Sequence, residues 1–123
     1  MVAITEAEGE DPDRLPPKFS LRHVNKKFCI TQCSKDEKAA FAVRLRELSQ
    51  LTWSQLRQAG RHGLGFETID RSIIKSGVPS VVTADVNIIA FRFDGKKPMV
   101  GFRDRGGTFH IIWFDRDFTL YKH

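Results

Sequence analysis

Apolar and polar positions alternate briefly near residue 20 and again, far more strongly, through the last third of the chain. Phe19, Leu21 and His23 share one parity against Ser20 and Arg22, which predicts a short first strand. Asn25-Lys26-Lys27 predicts a turn, and Phe28-Cys29-Ile30-Thr31 a second short strand or an irregular approach to a helix. Ser34 followed three residues later by Glu37 is a capping box, in which each side chain satisfies an orphan amide of the first turn. The helix it opens, about Lys35 to Ser49, carries Phe41, Leu45 and Leu48 as one apolar stripe. Thr52 and Gln55 repeat the spacing, predicting a short helix over Trp53 to Ala59 that stops at Gly60.

Residues 61–85 carry the weakest pattern. Arg61-His62-Gly63-Leu64-Gly65 predicts a loop whose glycines allow positive φ or a close backbone approach. Ile69, Ile73 and Ile74 suit a helical face, whereas Val78 to Thr83 reads as extended, with Gly77 and Pro79 breaking the two. Three strands then follow. Val86 to Phe93 ends at Asp94-Gly95, a hairpin dipeptide. Pro98 to Arg103 ends at Arg105-Gly106-Gly107, and Thr108 to Asp115 is apolar enough to be buried on both faces. Phe118, Leu120 and Tyr121 predict a final short extended piece. The expected fold is α+β: an N-terminal strand and two consecutive helices packed on a C-terminal antiparallel sheet of three to four strands. One sheet face should carry the helices, leaving the other to solvent, a groove or a partner.

Charge divides the chain. Residues 1–17 hold five of the fifteen acids, one base and three prolines, a composition that predicts a flexible acidic tail. The remaining single domain, 18–123, has 19 basic and 10 acidic residues, a formal +9. Such a field raises the local concentration of polyanions without choosing among RNA, DNA and an acidic protein, and it also serves solubility. Tail docking onto the basic domain as an internal polyanion mimic is a weaker expectation. No apolar run is long enough to span a membrane, and the first residues carry no secretory signal, so the cytoplasm is the expected compartment. Cys29 and Cys33 lack metal-site spacing and are expected to be free structural thiols; no metal or cofactor is expected.

Basic residues spread over the predicted sheet: Arg92, Lys96, Lys97, Arg103, Arg105, Arg116 and Lys122. Beside a shallow surface at Gly101, arginines can hold phosphates bidentately, although a solvated arginine population explains the same residues. Cleavage of RNA through its 2′-hydroxyl needs a base, a cation for the phosphate and an acid for the leaving oxygen. His62 or Glu67 suits the base and Arg92 or Arg103 the clamp. His110 or His123 suits the acid, with Tyr121 orienting it. His110 lies among apolar neighbours, where a buried histidine satisfied by one acceptor is equally expected. Asp115-Arg116-Asp117 is a weak metal-nuclease signal, since the arginine suits a turn. No Walker loop, HExxH or GxSxG motif occurs.

The order of elements over about residues 19–123, with Arg92 or Arg103 on the late sheet and Tyr121 or His123 near the end, resembles the RelE/YoeB/ParE superfamily of small bacterial toxins. The ending His110-Ile111-Ile112-Trp113-Phe114-Asp115-Arg116-Asp117-Phe118-Thr119-Leu120-Tyr121 is similar to small bacterial and phage proteins with no assigned activity. The first resemblance implies an RNA-directed toxin-like protein, with metal-independent endoribonuclease chemistry at the ribosome and an antitoxin protein as partner. A noncatalytic nucleic-acid or protein interaction module is the alternative, and ParE-like action on a topoisomerase a third. The acidic tail and the long 61–85 connection depart from the compact toxins.

Overall fold

A computed structural model describes residues 11–60 and 63–122. Five strands form one sheet: β1 (Lys18–Ser20), β2 (Glu67–Ile69), β3 (Ile88–Asp94), β4 (Lys97–Arg103) and β5 (Thr108–Phe114). Their spatial order is β1-β5-β4-β3-β2, with β1 parallel to β5 and every other pair antiparallel. The expected α+β class holds, with a strand at each edge flanking the three antiparallel C-terminal strands.

Helices α1 (Lys35–Leu48) and α2 (Trp53–Ala59) both begin with complete capping boxes. In the first, Glu37 Oε1 accepts from the Ser34 amide at 2.7 Å while Oε2 accepts from Lys97 Nζ at 2.8 Å. One buried carboxylate thus caps α1 and pins it to the start of β4. The Lys97 hydrogen bond is the main cause holding the Glu37 carboxyl below its ordinary range. Arg44 adds a second tie by donating to the Arg92 carbonyl at 3.0 Å.

Beneath the helices lies the first core, built on Phe41, Leu48, Trp53, Leu56, Ile89, Phe91, Phe93, Met99, Phe109, Ile111 and Phe114. Edge-to-face contacts join Phe91 to Phe109 and Phe114 to both Phe41 and Phe93. Each fully buried large side chain contributes about 1.5–3 kcal/mol, so this wall is a major source of stability.

The opposite sheet face is covered, contrary to the open surface expected. A second core joins Ile69, Ile88, Ala90, Val100, Phe102, Ile112 and Trp113 to Val82, Leu120 and Tyr121, with Phe28, Ile74, Val78 and Val86 packed around it. The connection after β2 supplies much of this cover. Arg71, in a 3-10 turn over Arg71–Ile73, holds it folded by donating to the Val82 and Thr83 carbonyls. Lys75 N then donates to the Leu120 carbonyl at 2.8 Å, joining connection and C-terminal segment. Val78 to Thr83 forms turns, and Phe118 to Tyr121 is not a strand. Asp115 explains the latter: its carboxylate accepts from the amides of Thr119 and Leu120 at 2.8 and 3.0 Å, curling the chain so that Leu120 and Tyr121 face inward.

Residues 26–28 and 30–32 are 3-10 turns, which fits the expected turn and irregular approach to the helix and not the alternative second strand; the Asn25 side chain caps the first through the Lys27 amide. Cys29 and Cys33 are free, and Cys33 is buried. Residues 11–17, expected as unpacked tail, dock: Pro12–Arg14 forms a 3-10 turn, the Leu15 carbonyl accepts from Trp53 N, and Asp13 pairs with Arg57 and Arg103. Residues 1–10 lie outside the described part.

Gly101 is dictated by its neighbours. A Cβ there would stand 1.8 Å from the His110 carbonyl oxygen, where β5 bulges between the pairs Val100 with Trp113 and Gly101 with Ile111. The bulge also breaks parity, sending Ile112 to the second core and Phe114 to the first. Gly65 meets the expectation of a close approach, since a Cβ would lie 2.5 Å from the Leu56 carbonyl oxygen.

Candidate nucleic-acid interface

Strand register decides which candidate side chains can cooperate. On β3, Arg92 shares the face of Ile88 and Ala90 and so points to the second-core side. On β4, Arg103 lies on the helix side, its guanidinium carbon 4.7 Å from the Trp53 ring centroid. Arg92 pairs with Pro98 and Ile88 with Phe102, so the two arginines also sit at opposite ends of the hairpin. They belong to separate sites.

Glu67 pairs with Ala90 across the β2–β3 ladder, which puts it on the Arg92 face. Glu67, Arg92 and Tyr121 line one open cleft of about 430 Å³, together with Asp70, Lys96, Pro98, Phe118 and Lys122. Among the described residues, Arg92, Lys96 and Lys122 have no ion-pair partner. Asp70 is engaged locally, its carboxylate accepting from Ser72 N and Oγ at 2.9 Å. The cleft therefore pairs cations with an acid and aromatic walls. Phe118 adds an element invisible in the sequence: it holds φ at 57° and stays 41% exposed at the rim. A left-handed conformation is costly for a bulky residue, by about 1–3 kcal/mol, and is tolerated where the surroundings enforce it. Here the Asp115-held turn does so.

His110 is elsewhere. It lies on β5 opposite Phe102, so its backbone is two strands and four residues from Arg92, roughly 16 Å away. Its Nε2 is 2.8 Å from Asp104 Oδ2, and its ring stacks on Phe102 at 4.8 Å with His23 on another side at 5.6 Å. Asp104 Oδ1 meanwhile accepts from the Gly106 and Thr108 amides. Burial opposes ionisation of Asp104, but the hydrogen bonds from His110 and the turn amides outweigh it and keep the carboxyl below its ordinary range. With Asp104 ionised, Nε2 carries the ring proton and donates it. His110 thus braces the β4–β5 turn. Its Nδ1 and the Trp113 Nε1 are buried without a hydrogen-bond partner among the described residues.

His62 and His123 lie outside the described residues, so the base and acid assigned to them have no geometry here. Among the described residues, no three His, Cys, Asp or Glu side chains gather as metal ligands, and no helix is long and apolar enough to cross a membrane.

At the opposite end of the sheet, Asp13 bridges two arginines. Its Oδ2 lies 3.0 Å from Arg57 Nη1, and its Oδ1 lies 3.3 Å from Arg57 Nη2 and 2.6 Å from Arg103 Nη1. These hydrogen bonds, Arg57 first, lower its pKa to about 2. A depressed carboxylate pKa stabilises the fold above the unfolded value near 4 and loses that contribution as pH falls through about 2. Because the Asp13 side chain is 33% exposed, solvent screening reduces its worth to about 1 kcal/mol. Asp13→Asn is therefore expected to lower urea-unfolding stability by about that amount at pH 7 and to converge with the parent near pH 2. A deficit unchanged with pH would refute this linkage.

No protein-family model matches the chain, and no curated protein or solved structure matches it significantly.

Proposed function

We propose that this protein is RNA-directed and grips a single strand in the cleft between the β2–β3 edge and the C-terminal segment. The observation that carries this reading is the convergence of Glu67, Arg92 and Tyr121, from distant parts of the chain, on one cleft rimmed by Lys96 and Lys122. An arginine fork suits a phosphodiester, the lysines suit the flanking charge, and Phe118, exposed at the rim, offers a face on which an unpaired base stacks, with the buried Tyr121 as part of the cleft wall.

In its enzymatic form this is a toxin-like, metal-independent endoribonuclease. Glu67 takes the 2′-hydroxyl proton and the freed oxygen attacks the adjacent phosphorus, held by Arg92. The 5′-oxygen leaves with a proton, giving a 2′,3′-cyclic phosphate and a 5′-hydroxyl. His123, next in sequence to Lys122, is the candidate proton donor, since His110 is remote and engaged by Asp104. That engagement favours the second reading, a noncatalytic RNA-binding module using the same cleft.

Purified protein incubated with single-stranded RNA in chelator, with and without ribosomes, separates the two. Binding should weaken with salt, and Arg92→Ala should reduce it about tenfold. For the enzyme, Glu67→Gln should slow cleavage about a hundredfold while binding persists. Binding without cleavage in either setting selects the noncatalytic reading, and absence of salt-dependent binding overturns both.

A further inference from the structure

The Asp13 contact lies against a second cleft, on the helix side of the sheet, of about 440 Å³ and lined by Trp53, Arg57, Phe66, Asn87, Ile89 and Arg103. Its composition is that of a site for a small anion carrying an aromatic group. Two guanidinium groups from different elements, α2 and β4, converge on one carboxylate, and each offers planar donors whose spacing suits phosphate oxygens as well as carboxylate oxygens. The Arg103 guanidinium is oriented by the Trp53 ring beneath it, and the Trp53 indole is itself fixed by donating Nε1 to the Gly107 carbonyl at 2.9 Å. Arg103 is thus preorganised without Asp13, while Arg57, half-exposed on α2, is held by its hydrogen bonds to Asp13. Beside it, Phe66 and Ile89 give an apolar wall, Asn87 an amide able to both donate and accept, and the volume falls within the range of small-molecule sites. Asp85 stands at the rim, its carboxylate already bonded to the Thr83 hydroxyl.

We propose that Arg57 and Arg103 form a nucleotide-phosphate site, with the base or ribose against Phe66 and Ile89, and that Asp13 occupies it as a ligand supplied by the chain itself. Asp13 competes at high effective concentration only while its segment is docked, and that docking has an independent anchor in the Trp53 amide to Leu15 carbonyl bond at 3.1 Å. An incoming phosphate therefore has to displace one carboxylate and leaves the rest of the segment in place. The proposal does not rest on the RNA reading of the first cleft, which lies on the other face and at the other end of the hairpin.

The test is titration of folded protein at pH 7 with three probes: ADP, a short oligoribonucleotide bearing a 5′-phosphate, and the same strand with a 5′-hydroxyl. Asp13→Asn keeps the side-chain shape but removes the competing charge, and should bind ADP or the phosphorylated strand about tenfold more tightly than the parent. Adding Arg103→Gln should abolish the gain, whereas adding Lys35→Gln, at an exposed residue that lines neither cleft, should leave it intact. Tighter binding of ADP identifies a free nucleotide as ligand, and tighter binding of the 5′-phosphorylated strand alone identifies a strand end. Equal affinities for Asp13→Asn and parent, or a gain that survives Arg103→Gln, overturns the proposal. Side-chain NMR of the unmodified protein supplies a check that needs no variant: saturating ADP should shift the Arg57 and Arg103 Nε resonances, and unmoved resonances refute the site.

Discussion

Gly101→Ala is expected to leave little folded protein at 37 °C. The added methyl carbon would fall 1.8 Å from the His110 carbonyl oxygen and 2.8 Å from its carbon, both backbone atoms of the paired strand. No rotamer change relieves such a clash, so β4 and β5 would have to separate at the centre of the sheet, between two cores. A cost of about 4 kcal/mol or more consumes much of the 5–15 kcal/mol that holds an ordinary domain together. Circular dichroism and urea unfolding measure it, with Gly77→Ala as control, because nothing lies within 4 Å of a Cβ at Gly77. Melting of Gly101→Ala within a few degrees of the parent would show that the strands tolerate a wider bulge.

Asp115→Ala carries the second large effect. The side chain is fully buried and its two oxygens accept from the Thr119 and Leu120 amides. Removal leaves those amides without their charged acceptor beside a core, at a cost of about 3 kcal/mol; Asp115→Asn, which keeps one acceptor, should lose about half. The consequence extends to function. Leu120 and Tyr121 enter the second core only through this turn, and Tyr121 with Phe118 walls the first cleft. If the first cleft holds RNA as proposed, Asp115→Ala assayed below its melting temperature should bind single-stranded RNA about tenfold more weakly than the parent, as Arg92→Ala should. Normal RNA affinity in a destabilised Asp115→Ala would detach the C-terminal segment from the interface.

Both effects come from features that differ in how openly the sequence displays them. The capping boxes at Ser34 and Thr52 are legible because a capping box is closed within four residues and needs no tertiary partner. The three late strands are legible from their apolar density. The second core is not, because Ile74, Val78, Val82 and Val86 sit four apart, a helical spacing, while Gly77 and Pro79 forbid the helix; turns pinned by Arg71 satisfy both. Strict alternation along β5 would put Phe114 on the face of His110, and the bulge opposite Gly101 reverses it. The site divides along the same lines. Glu67, Arg92 and Tyr121 were legible as residue types, but their meeting depends on the register of β2 on β3 and on the Asp115 turn. Arg103 looked equivalent to Arg92 until alternate faces separated them. Acids and prolines dominate the neighbourhood of Asp13 and give it the signature of a tail, while its two arginine partners lie 44 and 90 residues away.

The short parallel strand β1 has a consequence in the order of synthesis. Phe109 to Phe114 is an uncharged, β-prone, proline-free run of the kind that templates intermolecular sheets. Its inner edge is sealed by β4. Its outer edge is sealed first by β1, along Lys18 to Ser20, and then by Asn25, whose amide donates to the Ile112 carbonyl at 2.7 Å. Both covers precede the strand by more than 80 residues in the chain. During translation they leave the ribosome long before it does, so the most adhesive segment of the protein emerges after the backbone that will shield it, and a nascent chain exposes that edge for the shortest time its order allows.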